Sequence, residues 1–148
     1  MVEEHSEAAG RVPVRIQLES VAAGERTVLE LRGELSTRGA ACYVRYQEPA
    51  SAGMGSTTTT IRWQAGEVRV IRFGEVRFEQ VFVQGKEHTG YMVTPHGRME
   101  LVTRTREVQV ESSSSPALTY AVHWSYSLTV MGEDAGLYSL TLTVSPAA

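Results

Sequence analysis

From Val12 onward the chain alternates apolar and polar residues with a period of two. Val14, Ile16 and Leu18 are separated by Arg15 and Gln17, and Leu29, Leu31 and Leu35 stand against Glu30, Arg32 and Glu34. The longest run is Leu118, Tyr120, Val122, Trp124, Tyr126, Leu128 and Val130, with Thr119, Ala121, His123, Ser125, Ser127 and Thr129 between them. A helix would spread those seven side chains around its circumference, whereas a strand puts them all on one face. Tyr138, Leu140, Leu142 and Val144 close the sequence in the same way. No stretch has helical spacing, so the pattern predicts an all-β chain of about ten antiparallel strands.

The turns between strands set a register. In "TPHG", Pro95 and Gly97 suit a three-residue hairpin loop, which predicts Val93 opposite Met99 and Tyr91 opposite Leu101. "VQGK" reads as a two-residue loop that sets Phe78 opposite Tyr91 and Gln80 opposite Thr89. "RFGE", with Gly74 left-handed, sets Val70 opposite Val76 and Val68 opposite Phe78, and "QAGE" pairs Trp63 with Val68 and Ile61 with Val70. Together these turns give one apolar face and one polar face. Strands in meander order with such faces predict a single-domain up-and-down β-barrel over residues 12–148, because closure removes exposed edges. A two-sheet sandwich is the alternative, and residues 1–11 read as a polar, disordered tail.

Composition narrows the classes of function. The chain has 148 residues, a hydrophobic fraction of 42%, a charged fraction of 21% and a net charge of −3, as expected of one ordinary globular domain. A negative balance argues against nucleic acid and against an anionic membrane surface. Cys42 is the single cysteine, which leaves neither an intrachain disulfide nor a thiolate metal cluster. The first ten residues carry Glu3, Glu4 and Glu7 and no apolar run, and nowhere do eighteen apolar residues follow one another. No signal peptide or transmembrane helix is therefore expected, and the cytoplasm is the default location.

Three segments, "GMGSTTTTIRW", "IRFGEVRFEQVFVQG" and "TGYMVTPHGRMEL", resemble the YwiB-like family of small bacterial proteins. The likeness runs from about Val12 to the C-terminus. It implies a calycin-type barrel, the architecture of lipocalins and fatty-acid-binding proteins, and brings with it no activity, cofactor or catalytic residue. Where that family often carries an aromatic residue in the last turn, this chain has His96.

Candidate chemistry is sparse. His88 and His96 lie on different parts of a hairpin, His123 is out of phase with its strand's apolar face and His5 is in the tail, so no metal site is expected. No serine sits in a nucleophile elbow, and Cys42 reads as a small buried hydrophobe. "AGMGSTTTT" lacks the lysine and following helix of a phosphate loop. A stripe of Arg62, Arg69, Arg77, Arg98, Arg104 and Arg106 is interleaved with Glu67, Glu79, Glu100 and Glu107 and reads as cross-strand ion pairing. No enzyme and no cofactor are expected.

The barrel interior remains. Gln80, Thr89 and Thr103 are polar positions on the predicted inner face, and apolar walls with a few placed polar groups are how ligand pockets look. The leading expectation is a non-enzymatic barrel that binds a small, partly apolar molecule through Phe78, Gln80, Thr89, Tyr91, Trp124 and Tyr126. The alternative is a packed barrel that meets a protein partner or a second copy through its outer strands and an Arg72-Phe73 hairpin tip.

Overall fold

The computed structural model describes residues 10–49, 53 and 55–147. They form ten strands: β1 (Val12–Ala22), β2 (Glu25–Arg38), β3 (Ala41–Gln47), β4 (Thr57–Gln64), β5 (Glu67–Gly74), β6 (Phe78–Val83), β7 (Glu87–Thr94), β8 (Gly97–Ser113), β9 (Thr119–Val130) and β10 (Glu133–Pro146). The strands lie in the order β6-β5-β4-β3-β2-β1-β10-β9-β8-β7, with β1 and β10 paired from Val14–Pro146 to Ala22–Tyr138. The two ends of that order meet at a seam. Arg77 and Val93 exchange two backbone hydrogen bonds, at 2.9 and 2.8 Å, and Thr105 bonds to Gly85 and Lys86 at 2.9 and 3.0 Å. The protein is a nearly closed antiparallel meander barrel of ten strands, and not a sandwich. The predicted tail lies outside the described residues, save Gly10 and Arg11.

The alternation read from the sequence becomes the inner wall. Val14, Ile16, Leu18, Val44, Ile61, Val68, Val122, Leu142 and Val144 join Trp63, Phe82 and Trp124 in one buried cluster. Two bulges re-aim strands: the pairing shifts between Thr105 and Glu107 in β8 and between Asp134 and Gly136 in β10. Leu101, Thr103 and Thr105 face inward before the first bulge and Val108 after it, the one-residue change of face that an inserted residue causes.

The predicted registers fared unequally. Trp63–Val68 and Ile61–Val70 pair as expected. The β5–β6 pairing is displaced by four residues, to Val70–Gln80 and Arg72–Phe78. Gly74 stays in the sheet: a Cβ there would lie 2.1 Å from the Ser56 carbonyl oxygen, so the turn falls after it. Four is even, and the inner face survived.

At the next two turns the displacement is odd. In "VQGK" the Lys86 N–H donates to the Val83 carbonyl at 2.8 Å, and of the two central residues only Gly85 has positive φ, +78°. That is a type II turn, whose twist splays flanking strands instead of joining them. β7 therefore leaves β6 and meets it at Arg77–Val93, one residue from the predicted register. "TPHG" then forms a two-residue loop with Thr94 opposite Gly97 and Tyr91 opposite Glu100, one residue off in the other sense. The two slips cancel at β8 and invert β7 between them. His88 and Met92 share the inner face with Leu101 and Thr103, while Thr89 and Tyr91 point outward. Tyr91 is 45% exposed, with the Arg98 guanidinium 4.2 Å from its ring centre.

Candidate functional site

Four neighbouring strands bring charge into the barrel. Period-two alternation aims Val44, Tyr46 and then Glu48 inward along β3 and its continuation. Val68, Val70 and Arg72 do the same on β5, and Phe78, Gln80 and Phe82 on β6. Thr59 on β4 lies between, opposite both Tyr46 and Arg72. Glu48 and Arg72 therefore meet inside the same end of the barrel. Arg72 Nε donates to Glu48 Oε2 at 3.3 Å, and the Thr59 hydroxyl donates to the same carboxylate oxygen. The Arg72 guanidinium lies 4.8 Å from the Phe78 ring centre. The side chains are 3% exposed for Glu48 and 16% for Arg72. Burying such a pair costs more desolvation than most pairs return in attraction, so its presence asks for a reason other than stability.

Two tyrosines complete the polar zone. Burial and the nearby Glu48 carboxylate push Tyr46 up to about 12, against the opposing pull of Arg72. Burial and Tyr138 push Tyr126 up to about 12, opposed by Arg72 and the Gln80 amide. Thr105 Oγ1 and Trp124 Nε1 are buried and have no hydrogen-bond partner among the described residues, while the Tyr46 hydroxyl lies within reach of Thr59 and Arg72. A pH dependence follows. In an unfolded chain tyrosine ionises near 10, so between about pH 9.5 and 12 the unfolded state releases protons that the folded state keeps. Stability is then intact below about pH 9 and falls as pH rises, by about 2–3 kcal/mol for each of the two residues. Urea unfolding at pH 8 and pH 11.5 measures this, and equal unfolding free energies would contradict it.

Aromatic rings fill the middle of the barrel. Trp63 meets Tyr120 edge-on at 5.4 Å, Phe82 lies 5.9 Å from Trp124 and 4.6 Å from Tyr126, and Tyr126 stacks on Tyr138 at 5.3 Å. These contacts join β4 and β6 to β9 across the interior. Of the predicted lining, Phe78, Gln80 and Tyr126 gather with Arg72, and Trp124 sits deeper at 1% exposure. Thr89 and Tyr91 are on the outside, for the register reason given above. The proposed Arg72-Phe73 tip is not a unit: Arg72 points into the barrel and Phe73, 70% exposed, points away from it. Gln80 faces Tyr126 and not Thr89.

The remaining candidates are quiet. Burial pushes the Cys42 thiol up, with Tyr120 beside it, which suits a packing role. His123 Nδ1 contacts the Thr141 hydroxyl at 3.0 Å, and no group of three potential metal ligands exists among the described residues. No helix among them is long and apolar enough to cross a membrane.

Glu48, Tyr46 and Met92 were missed by sequence reasoning. For the first two the signal was present: Glu48 continues the even-numbered inner series of β3, and the correctly predicted Ile61–Val70 pair, extended by two residues, puts Arg72 opposite Thr59. Met92 pairs directly with Met99 of β8, which the alternation had already placed on the apolar face and which is partly exposed at the rim. Met92 became an inner residue only once β7 was inverted. The arrangement presents guanidinium, hydroxyl and amide donors beside a soft apolar rim.

Comparison with known proteins agrees with the barrel. A solved structure, the ywiB protein from Bacillus subtilis, superposes with a TM-score of 0.78 over 94% of both chains at 24% sequence identity. The curated "Uncharacterized beta-barrel protein YwiB" of Bacillus subtilis (strain 168) is 27% identical over 135 residues, which cover 88% of this chain and 92% of the relative. The family model described as "Domain of unknown function (DUF1934)" matches residues 12–142, all ten strands from the first residue of β1 into β10, and the chain belongs to that family.

Proposed function

We propose that the protein binds a small, partly apolar molecule at the end of the barrel where Glu48 and Arg72 meet. The observation that carries the reading is the buried Glu48–Arg72 pair, with the buried Tyr46 hydroxyl beside it. Donors outnumber free acceptors there: Arg72 and Tyr46 can donate, while one Glu48 oxygen already accepts from Arg72 and Thr59. An acceptor-rich group, such as a carboxylate, complements that inventory. Phe78, Met92 and Met99 offer an apolar wall for the rest of the molecule, and methionine adapts its shape readily. The dense aromatic packing favours the mouth over the centre.

Quenching of the intrinsic tryptophan fluorescence, titrated with a medium-chain carboxylate and with the alcohol of equal chain length, tests this. The carboxylate should bind at least about tenfold more tightly, and Gln80→Leu should weaken it. Absence of saturable binding, or equal affinity for the two probes, would sink the reading. A second reading, docking of a partner protein or a second copy of this chain on the outer strands, is favoured only by the exposed Phe73 ring. A dimer in sedimentation that Phe73→Ser abolishes would support it.

A further inference from the structure

Both β-bulges deliver their extra residue to one hollow. The shift in β8 leaves Arg106 without a ladder partner, and the shift in β10 does the same for Ala135. Both residues line a hollow of about 550 Å³ on the outer side of β8, β9, β10 and β1. Ser125, Ser139 and Val21 stand side by side across three of these strands, and the two small serine side chains leave room that larger neighbours enclose. Leu137, 58% exposed, and Val21, 38% exposed, border it. Ala23 adds a methyl group to the wall from the β1–β2 turn, where it holds φ +53° at a place that asparagine or glycine usually takes. Bulges of this kind re-aim side chains beside binding sites.

Arg106 supplies the one formal charge. No acidic residue lines the hollow, and Arg106 makes no ion pair among the described residues. Its chain neighbour Glu107 accepts from Gln109 at 2.9 Å and lies 3.7 Å from His123. From this geometry we infer a second binding site, for a small amphipathic molecule with an apolar body and a single negatively charged head group.

The chemistry of each part fits that class. Apolar walls with a few placed polar groups are how small-molecule sites are built, and the volume falls in their usual range. A guanidinium fork holds two oxygens of a carboxylate or sulfonate through parallel N–H donors, and Ser125 and Ser139 can each donate a hydroxyl. One cation matches one negative charge, so a polyanion would leave charge unbalanced. In a two-fold contact the same patch meets itself, and a second copy would offer Arg106 no acidic partner. Tyr126 and Tyr138 also line the hollow, but Arg106 and Leu137 lie on the outer face, away from Arg72. The inference therefore stands or falls independently of the ligand at the barrel mouth.

An anilinonaphthalene sulfonate, whose fluorescence rises in apolar surroundings, tests it against N-phenylnaphthylamine, the same rings without the charge. Titrated into the full chain, the sulfonate should bind one saturable site at least about fivefold more tightly than the neutral probe. Arg106→Gln should abolish that preference, and Leu137→Ser should weaken both probes. Both residues are exposed, so an unaltered melting temperature confirms that the variants are folded. Arg45→Gln, on another part of the barrel wall, should leave the affinity unchanged. No saturable fluorescence, a preference that survives Arg106→Gln, a loss in Gln80→Leu as large as that in Arg106→Gln, or a dimer that Leu137→Ser dissolves in place of probe binding would each overturn the inference.

Discussion

Replacing Trp124 with alanine should lower the unfolding free energy by about 3–5 kcal/mol, the usual cost of removing a large ring from a close-packed interior. Trp124 is 1% exposed, its ring faces Phe82, and its neighbours across the ladders are Val108 and Leu140. None of these can swing in to fill the space, because each is fixed by its own strand. Small domains have roughly 5–15 kcal/mol of stability in all, so this variant sits near the threshold of folding. Urea denaturation followed by circular dichroism gives the value. A loss below about 1 kcal/mol would mean that the barrel's centre is loosely filled, which would move the expected ligand from the mouth to the middle.

Arg72→Met should be nearly as damaging, for a different reason. It removes the guanidinium and leaves the Glu48 carboxylate, 3% exposed, with the Thr59 hydroxyl as its remaining donor. An uncompensated buried charge typically costs about 3–5 kcal/mol. The double variant Glu48→Leu, Arg72→Met should recover most of that loss, since a neutral pair of similar volume carries no desolvation penalty. Denaturant unfolding of the two single variants and the double variant closes the cycle. A coupling below about 1 kcal/mol, the range of surface pairs, would show that the pair is not functionally buried.

How much of this could be read in advance depended on parity. β1 and β9 carry strong apolar faces, and their inner residues, from Val14 to Trp124, were legible from alternation alone. β7 carries none: Glu87, Thr89, Tyr91 and Val93 on one face compete with His88, Gly90 and Met92 on the other. With so little difference in hydrophobicity, its orientation is set by turns and by steric fit. Gly90 is one such constraint, since a Cβ there would come within 3.0 Å of the Glu79 carbonyl oxygen. The type II turn at Gln84-Gly85 is another, and a turn's type depends on φ angles that the residues "QG" permit without dictating.

The same logic governs the candidate site. Phe78, Gln80 and Tyr126 came from strands whose faces were unambiguous, and they gather as expected. Thr89 and Tyr91 came from β7 and did not. Arg72 was assigned to a hairpin tip because Gly74 looked like a turn glycine, when its role is to let β5 approach Ser56. The charge pair itself joins residues 24 positions apart on two strands that are not adjacent, a proximity that no local pattern reports, although the β3–β4–β5 registers together imply it.

Native mass spectrometry of gently purified protein tests the central claim most directly, with the wild type set beside the Glu48→Leu, Arg72→Met double variant. A reproducible small-molecule adduct is expected on the wild type, lost on denaturation and missing from the folded double variant. An adduct retained by the double variant, or none on the wild type, would contradict it.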